Sequence, residues 1–521
     1  MNRTLNHKFY VLFVSIAMLT IYLLLGTGIH GDDYTIIYNM LEYDIWKYLN
    51  PGLQDFRLMI FNLISYYSFW WAFLVFGYDN QLGYDVIKIV AHGAGIYFTY
   101  MFFQGYISRD RALLASLIFI FYPLHDATTY WYMVVPYILT PSVLLYGHYL
   151  VNNNRLKAGV LATSLGVFAS YSSPPYVFGL ASIFLLEKKF KKAVIYIIPG
   201  FLYVIYYFSI KLIFPESELR INSELDIIGF LKHFLLQPIS MLEASIGPSY
   251  WFKIIYSIGS MSMVSILIAT VIMYFCLRFV RLASEPSGLY SPLLIGIISV
   301  LVLSFSMFAL TGMYSHSAFN LGNRTTVYGA LLISYLLVAL IPSNKKSVIF
   351  IFIIFLLPVI GLSDHWKEWN NNQKEIIVNI NNNKDLRSLP VDSTLVVVGN
   401  TYSNLGPFSH IEFFSMSWIV DSHFRTGARV KSRNIVALTS YIKLKDNSLI
   451  DIKYSVVHPL NEHIYLYNSE TNVVDKLTML SLRNLVLQEN KEIRHWIQLL
   501  KNTWIQELII LLSPRLAYLF R

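Results

Sequence analysis

The run FYVLFVSIAMLTIYLLLGTG, Phe9 to Gly28, is followed within a few residues by Gly31-Asp32-Asp33-Tyr34. A predominantly apolar stretch of about 20 residues is what a helix needs to cross a bilayer. Two adjacent carboxylates at the mouth of such a span are costly to hold near lipid, and ionisable groups at that depth mark functional sites. The plainer reading is that the pair ends the span and sits solvated in the first loop. Which reading holds depends on where the rest of the chain puts its polar residues.

Further apolar runs of similar length recur along the 521 residues, of which 55% are hydrophobic and 14% charged. A mean hydropathy of +0.50 and this repetition exclude an ordinary soluble domain and predict an α-helical polytopic membrane protein. The net charge of +9 is spread in small clusters between the apolar runs, so it points to cytoplasmic loops and not to nucleic acid. Cys276 is the single cysteine and lies inside an apolar run, which rules out an intrachain disulfide. No small-residue cleavage site follows the first run, and Phe9–Gly28 is expected to be a retained span.

Arg3 and Lys8 precede that span, which places the N-terminus inside and Asp32-Asp33 outside. Tyr34 to Asn50 alternates apolar and polar residues in a pattern suited to the membrane surface. If Leu58–Gly77 is re-entrant, the clusters Arg109/Arg111, Arg155/Lys157, Lys188 to Lys192, Arg278/Arg281 and Lys345/Lys346 all fall inside. If it spans, all fall outside, so the positive-inside bias selects the re-entrant choice. The parity gives about 11 transmembrane helices, near 9–29, 84–106, 112–122, 134–151, 158–171, 176–187, 193–214, 254–277, 292–313, 325–341 and 348–362. Outside then lie Asp32-Asp33, Arg57, His125-Asp126, the Ser172-Ser173-Pro174-Pro175 turn, a long loop Pro215–Lys253, and His316 through Arg324. After residue 362 a polar helix, Ser363 to Asn383, and short strand-like runs at 394–399, 434–444, 450–457 and 463–467 follow. Residues 1–362 are expected to form the transmembrane catalytic domain and 363–521 a C-terminal extracytoplasmic α/β domain. Walker, Rossmann, zinc and nucleophile-elbow patterns are absent from the sequence.

This order resembles the glycosyltransferase superfamily with the C-type fold (GT-C). That superfamily includes protein O-mannosyltransferases and lipid A aminoarabinose transferases, whose acidic pair sits in the first external loop. Short strings carry the resemblance too: Phe56-Arg57-Leu58, Leu82-Gly83-Tyr84 with His92, Phe121-Tyr122-Pro123-Leu124-His125-Asp126 with Trp131, and Asn323-Arg324-Thr325. It covers roughly residues 9–370. In the third external loop, where many relatives carry a lysine, this chain has Ser172-Ser173-Pro174-Pro175. Size, the external C-terminal domain and the re-entrant segment look most like bacterial and phage-borne glucosyltransferases that decorate O-antigen.

The resemblance implies a plasma-membrane enzyme that moves a sugar, glucose by the narrower likeness, from a polyprenyl phosphate to a hydroxyl of an extracytoplasmic glycan, with inversion. Such chemistry needs a base for the acceptor proton and cations for the leaving phosphate. Asp32 aligns with the first family acid and is expected to be the base, with Asp33 beside it or in its place. Arg57, Lys88, His92 and Arg324 are the candidates for the donor phosphate, against the plainer readings of interfacial anchoring and helix packing. His125 and Asp126 either steer the acceptor or close their loop. Asp32, Asp33 and Asp126 could together hold a divalent cation. A monophosphate leaving group needs less neutralisation, so neither metal nor cofactor is expected. Three other readings compete. An O-antigen polymerase or ligase would lean on later arginines, a transporter would show repeats and midplane charges, and a scaffold would not need the acidic pair.

Overall fold

The computed structural model describes residues 14–42, 71–213, 226–279, 288–312 and 316–489, together with Glu507 and Leu511. Seven of its helices are long and apolar enough to cross a membrane: Gln81–Gln104, Arg109–Tyr130, Tyr132–Asn152, Phe190–Ser209, Ser291–Thr311, Leu321–Leu340 and Lys345–Asn382. Three shorter apolar helices, Val14–Leu24, Leu156–Ala169 and Pro174–Leu186, fall where the sequence predicts spans. The chain is a multi-pass helical membrane protein with a strand-containing C-terminal part. Leu58–Gly77 lies outside the described residues up to position 70.

Small residues let the helices approach closely. A Cβ on Gly159 would lie 2.5 Å from Val151, and one on Gly179 would lie 2.5 Å from the Val300 backbone. Such contacts supply the packing that apolar burial cannot provide within lipid. Long apolar side chains such as Phe201, Leu202, Ile205 and Leu212 project from the bundle, as lipid-facing positions should.

The bundle has two distinct ends. At one, Arg111 donates to the carbonyls of Val338 and Ile341 and to Ser343 Oγ, and Lys189 donates to Asn152 Oδ1 at 2.9 Å. The turns carrying Arg109/Arg111, Arg155/Lys157, Lys188 to Lys192 and Lys345/Lys346 thus share one end, as the charge parity requires. At the other end meet the loop 25–31, the segment 121–135, the Ser170–Ser173 turn and the loop 316–326. Tyr328 Oη donates to the Ser172 carbonyl there at 2.7 Å.

Three expectations are corrected. The predicted loop Pro215–Lys253 contains the helix Ile227–Ile246, which runs on into Pro248–Gly259. The predicted span 254–277 is broken: the run 227–259 meets Met263–Phe275 at 109°. Averaged hydropathy registers Glu243 and Lys253 as interruptions, whereas in the fold Lys253 is buried against a carboxylate. The segment 363–383, read as an interfacial helix, continues the preceding span as one run of 38 residues, Lys345–Asn382. At about 1.5 Å per residue that run reaches some 57 Å, nearly twice a bilayer core. Its second half leaves the bundle and buries Trp366, Asn370, Gln373, Ile376, Ile377 and Ile380.

Beyond it lie the strands β1 Ser393–Val398, β2 Tyr402–Leu405, β3 Phe408–Glu412, β4 Asn434–Ala437, β5 Ile442–Lys445, β6 Ser448–Asp451, β7 Val456–Pro459, β8 His463–Asn468 and β9 Val473–Leu477; one sheet is ordered β4-β1-β8-β9, with β1 parallel to β4 and to β8. β9, Val473–Leu477, is antiparallel to β8. Alternation puts Leu395 and Val397 in one core with Ile377, Ile380 and Phe424, and Val396 in another with Val436 and Leu482. A hairpin of β2 Tyr402–Leu405 and β3 Phe408–Glu412 reaches back to the bundle, where Phe408 stacks on Phe319 at 4.3 Å.

Candidate active site

The first loop is held by buried charge. Asp85, on the helix Gln81–Gln104, accepts from the amides of Gly26 (2.7 Å) and Gly28 (2.9 Å). Lys88, one turn on, pairs with Asp85 at 2.8 Å and donates to Thr27 Oγ1, the Gly28 carbonyl and the Tyr130 carbonyl. An ammonium has three protons, and those of Lys88 face four oxygens, all inside the protein. His92 is fully buried, with Nδ1 on the Lys88 carbonyl at 2.8 Å and its ring stacked on Phe121. Lys88 and His92 therefore meet the first loop and the 121–130 segment, and neither is exposed.

Beyond Gly28 the chain turns sharply. Gly31 has φ +48°, and a Cβ there would lie 2.5 Å from Trp131 Cζ2. His30 Nε2 donates to the Thr27 carbonyl, while Nδ1 accepts from Gln373 at 3.0 Å. Burial, aided by the Lys88 ammonium, lowers His30 to about 3 and keeps it neutral.

The acidic pair opens the helix Asp32–Glu42, at the positive end of its dipole. Its members differ in environment. Asp33 is fully buried, and its two oxygens accept from the amides of His30 (3.0 Å) and Met133 (3.1 Å). Burial pushes its carboxyl up to about 8, against the opposing pull of the His30 amide and Lys88. Asp32 is half-buried, and its Oδ1 accepts from Trp418 Nε1 at 2.8 Å. Its Oδ2 has no hydrogen bond among the described residues.

Met133, which holds Asp33, lies about one turn before Tyr137, whose ring is 5.4 Å from the Arg324 guanidinium. The Tyr137 hydroxyl meets that of Tyr171. Tyr171 in turn lines an apolar groove of about 280 Å³ with Phe178, Tyr203, Tyr207, Met307 and Phe308. The 131–137 segment therefore touches both Asp33 and Arg324, and leads on to the groove.

His125 and Asp126 are also buried here, fully engaged within the protein. His125 Nε2 donates to the Phe119 carbonyl at 2.7 Å, and Nδ1 meets Thr128 Oγ1 at 2.8 Å. Asp126 Oδ1 takes Lys253 Nζ and Asn323 Nδ2, each at 2.5 Å. Its Oδ2 takes Trp366 Nε1 and His410 Nε2, each at 2.7 Å. One carboxylate thus fastens the helix Pro248–Gly259, the loop 316–326, the long helix and β3 to the 121–130 segment. Asp126 binds Lys253 and His410 and shares no donor with Asp33. Arg57 lies outside the described residues.

Asp85, Lys253, Trp366, His410 and Trp418 are residues that the sequence reading passed over. Asp85 had a signal: a carboxylate three residues before Lys88 in an apolar helix lies on the same face and is placed to pair with it. Trp418 had none, since no pattern ties it to position 32.

No family model matches the sequence, and no curated protein matches it. Among solved structures the chain is similar to the crystal structure of ArnT from Cupriavidus metallidurans bound to undecaprenyl phosphate. The two share 10% identity and a TM-score of 0.42, over 82% of this chain and 85% of that chain.

Proposed function

We propose that this chain is a GT-C-type glycosyltransferase of the bacterial plasma membrane. It transfers a sugar from a polyprenyl phosphate to a hydroxyl of an extracytoplasmic glycan, with glucose and O-antigen as the first donor sugar and acceptor to try. The observation that carries this is the unequal fate of four carboxylates at one end of the bundle. Asp33, Asp85 and Asp126 have both oxygens occupied by protein donors. Asp32, at a half-buried position, keeps Oδ2 without a hydrogen bond among the described residues, as a base that must meet an incoming hydroxyl requires.

In this reading Asp32 Oδ2 takes the acceptor proton as the acceptor oxygen attacks the anomeric carbon. The bond to the phosphate oxygen breaks on the opposite face, which inverts the centre. Charge grows on the leaving phosphate, and Arg324, attached to the same 131–137 segment, supplies a two-pronged donor for it. The apolar groove beyond Tyr171 has the chemistry to seat an isoprenoid chain beside that headgroup. Asp33 acts through Asp32: it fixes the loop and the helix start.

The test is transfer of labelled sugar from a polyprenyl-phosphate pool in membranes, with wild type beside Asp32→Asn at matched expression. Removal of a general base costs about 10²- to 10⁴-fold. Wild-type rates in Asp32→Asn, or no transfer by wild type with any donor sugar, would overturn the reading.

A further inference from the structure

We propose that Trp418 of the C-terminal part is the positioning residue for the Asp32 base, so that the site is complete only when that part is docked. The inference rests on the glycosyltransferase reading and deepens it. Trp418 sits on the short helix Ser417–His423, which packs against the helix Asp32–Glu42; His423 lies 4.2 Å from Tyr34 across that contact. The indole is held edge-on by Tyr454 at 4.8 Å and 73°, which sets the ring plane. Its Nε1 donates to Asp32 Oδ1 at 2.8 Å.

An indole N–H can only donate. It therefore binds the ionised carboxylate without competing for the acceptor's proton, and it claims one oxygen while leaving the other open. A carboxylate on a helix start can rotate about its side-chain torsions, and a single donor on Oδ1 fixes where Oδ2 points. Catalysis is sensitive to such placement, since a misplacement of about 1 Å costs on the order of 100-fold. The donor comes from a residue 386 positions away in the chain. Docking of the C-terminal part, fastened through His410 on Asp126, therefore also assembles the base.

Trp418→Phe keeps a ring against Tyr454 and deletes the N–H. In membranes with labelled donor, the expected result is a fall in kcat of about 10- to 100-fold, the range for loss of a hydrogen bond to a charged group, with KM for the donor unchanged. A second variant guards against misfolding: an indole replaced by benzothiophene at position 418 keeps the bicyclic shape, lacks the N–H, and should show the same loss. A wild-type kcat in the benzothiophene variant, or a loss confined to KM, overturns the proposal. Asp32→Asn run alongside separates the two levels. If it retains wild-type activity, the base assignment and the function reading fail. If it is inactive while both Trp418 variants turn over normally, the positioning role alone fails.

Discussion

Replacing Asp126 by asparagine, Lys253 by methionine, and then both together isolates the fastening between the bundle and β3. Asp126 and Lys253 are each fully buried and 2.5 Å apart, and the carboxylate also holds Asn323, Trp366 and His410. Removing one partner of such a pair strands a charge, which costs about 3–5 kcal/mol. Asp126→Asn keeps one carbonyl oxygen for His410 and Trp366 but turns an amide NH₂ toward the Lys253 ammonium. Lys253→Met leaves the carboxylate with three donors and no counter-charge. In the double variant the NH₂ no longer meets an ammonium and neither charge remains, so the two losses should fall short of adding by about 2 kcal/mol. The assay is amide hydrogen exchange in detergent, read at Phe408–Glu412 and Pro248–Gly259. A loss of about 3–5 kcal/mol corresponds to exchange through opening that is roughly 150-fold to several thousand-fold faster. Exchange in β3 within threefold of wild type in Asp126→Asn, or strict additivity in the double variant, would refute the fastening.

Three further outcomes are expected. Gly31→Ala forces a side chain into the left-handed region and into Trp131, at a combined cost of about 2–4 kcal/mol, and sugar transfer should fall by at least 100-fold; a fully active variant would show that the turn is not needed. Arg324→Lys keeps the charge but loses the fork, so KM for the polyprenyl-phosphate donor should rise about 10-fold with kcat less affected, read from donor titrations in membranes. The fold should be acid-sensitive. His30, His316 and His423 are buried with values near 3, so the unfolded chain takes up protons below about 6.5 while the folded one does not, and stability is lost as pH falls. Asp33, raised to about 8, acts oppositely, since the folded state already holds its proton. For these four groups the net is a loss of about 3 kcal/mol between pH 6.5 and 5, and a thermal inactivation midpoint that is flat over that range contradicts it.

What was legible in the sequence follows from what each signal depends on. A span depends on its own composition, so helices stand at nearly all the predicted positions, and the basic turns gather at one end as counting charges required. The 227–259 stretch failed that logic because Lys253 is neutralised by a partner far away, Asp126 across 127 positions, and Glu243 accepts from the Ser249 amide. Hydropathy sees the charge and not the partner. The same blindness applied to the stretch 363–383. Its polar residues looked suited to an interface, but Trp366, Asn370 and Gln373 each donate to a buried acceptor in the segments 26–30 or 121–130.

The acidic pair shows where local reading ends. Asp32 and Asp33 are chemically identical neighbours, and only the alignment with the superfamily's acidic pair put Asp32 first; nothing in their own chemistry ranks one above the other. Helix geometry separates them: consecutive residues at a helix start point about 100° apart, so one carboxylate turns in toward the His30 and Met133 amides and the other out toward Trp418. Two amides that would otherwise be buried without acceptors make Asp33 an anchor, and its full burial keeps it from an acceptor sugar. Asp32 is left, among the described residues, with one donor and one open oxygen. The division of roles comes from the surroundings, in particular from a tryptophan that only the folded C-terminal part delivers, and so the base and the domain that positions it belong to one functional unit.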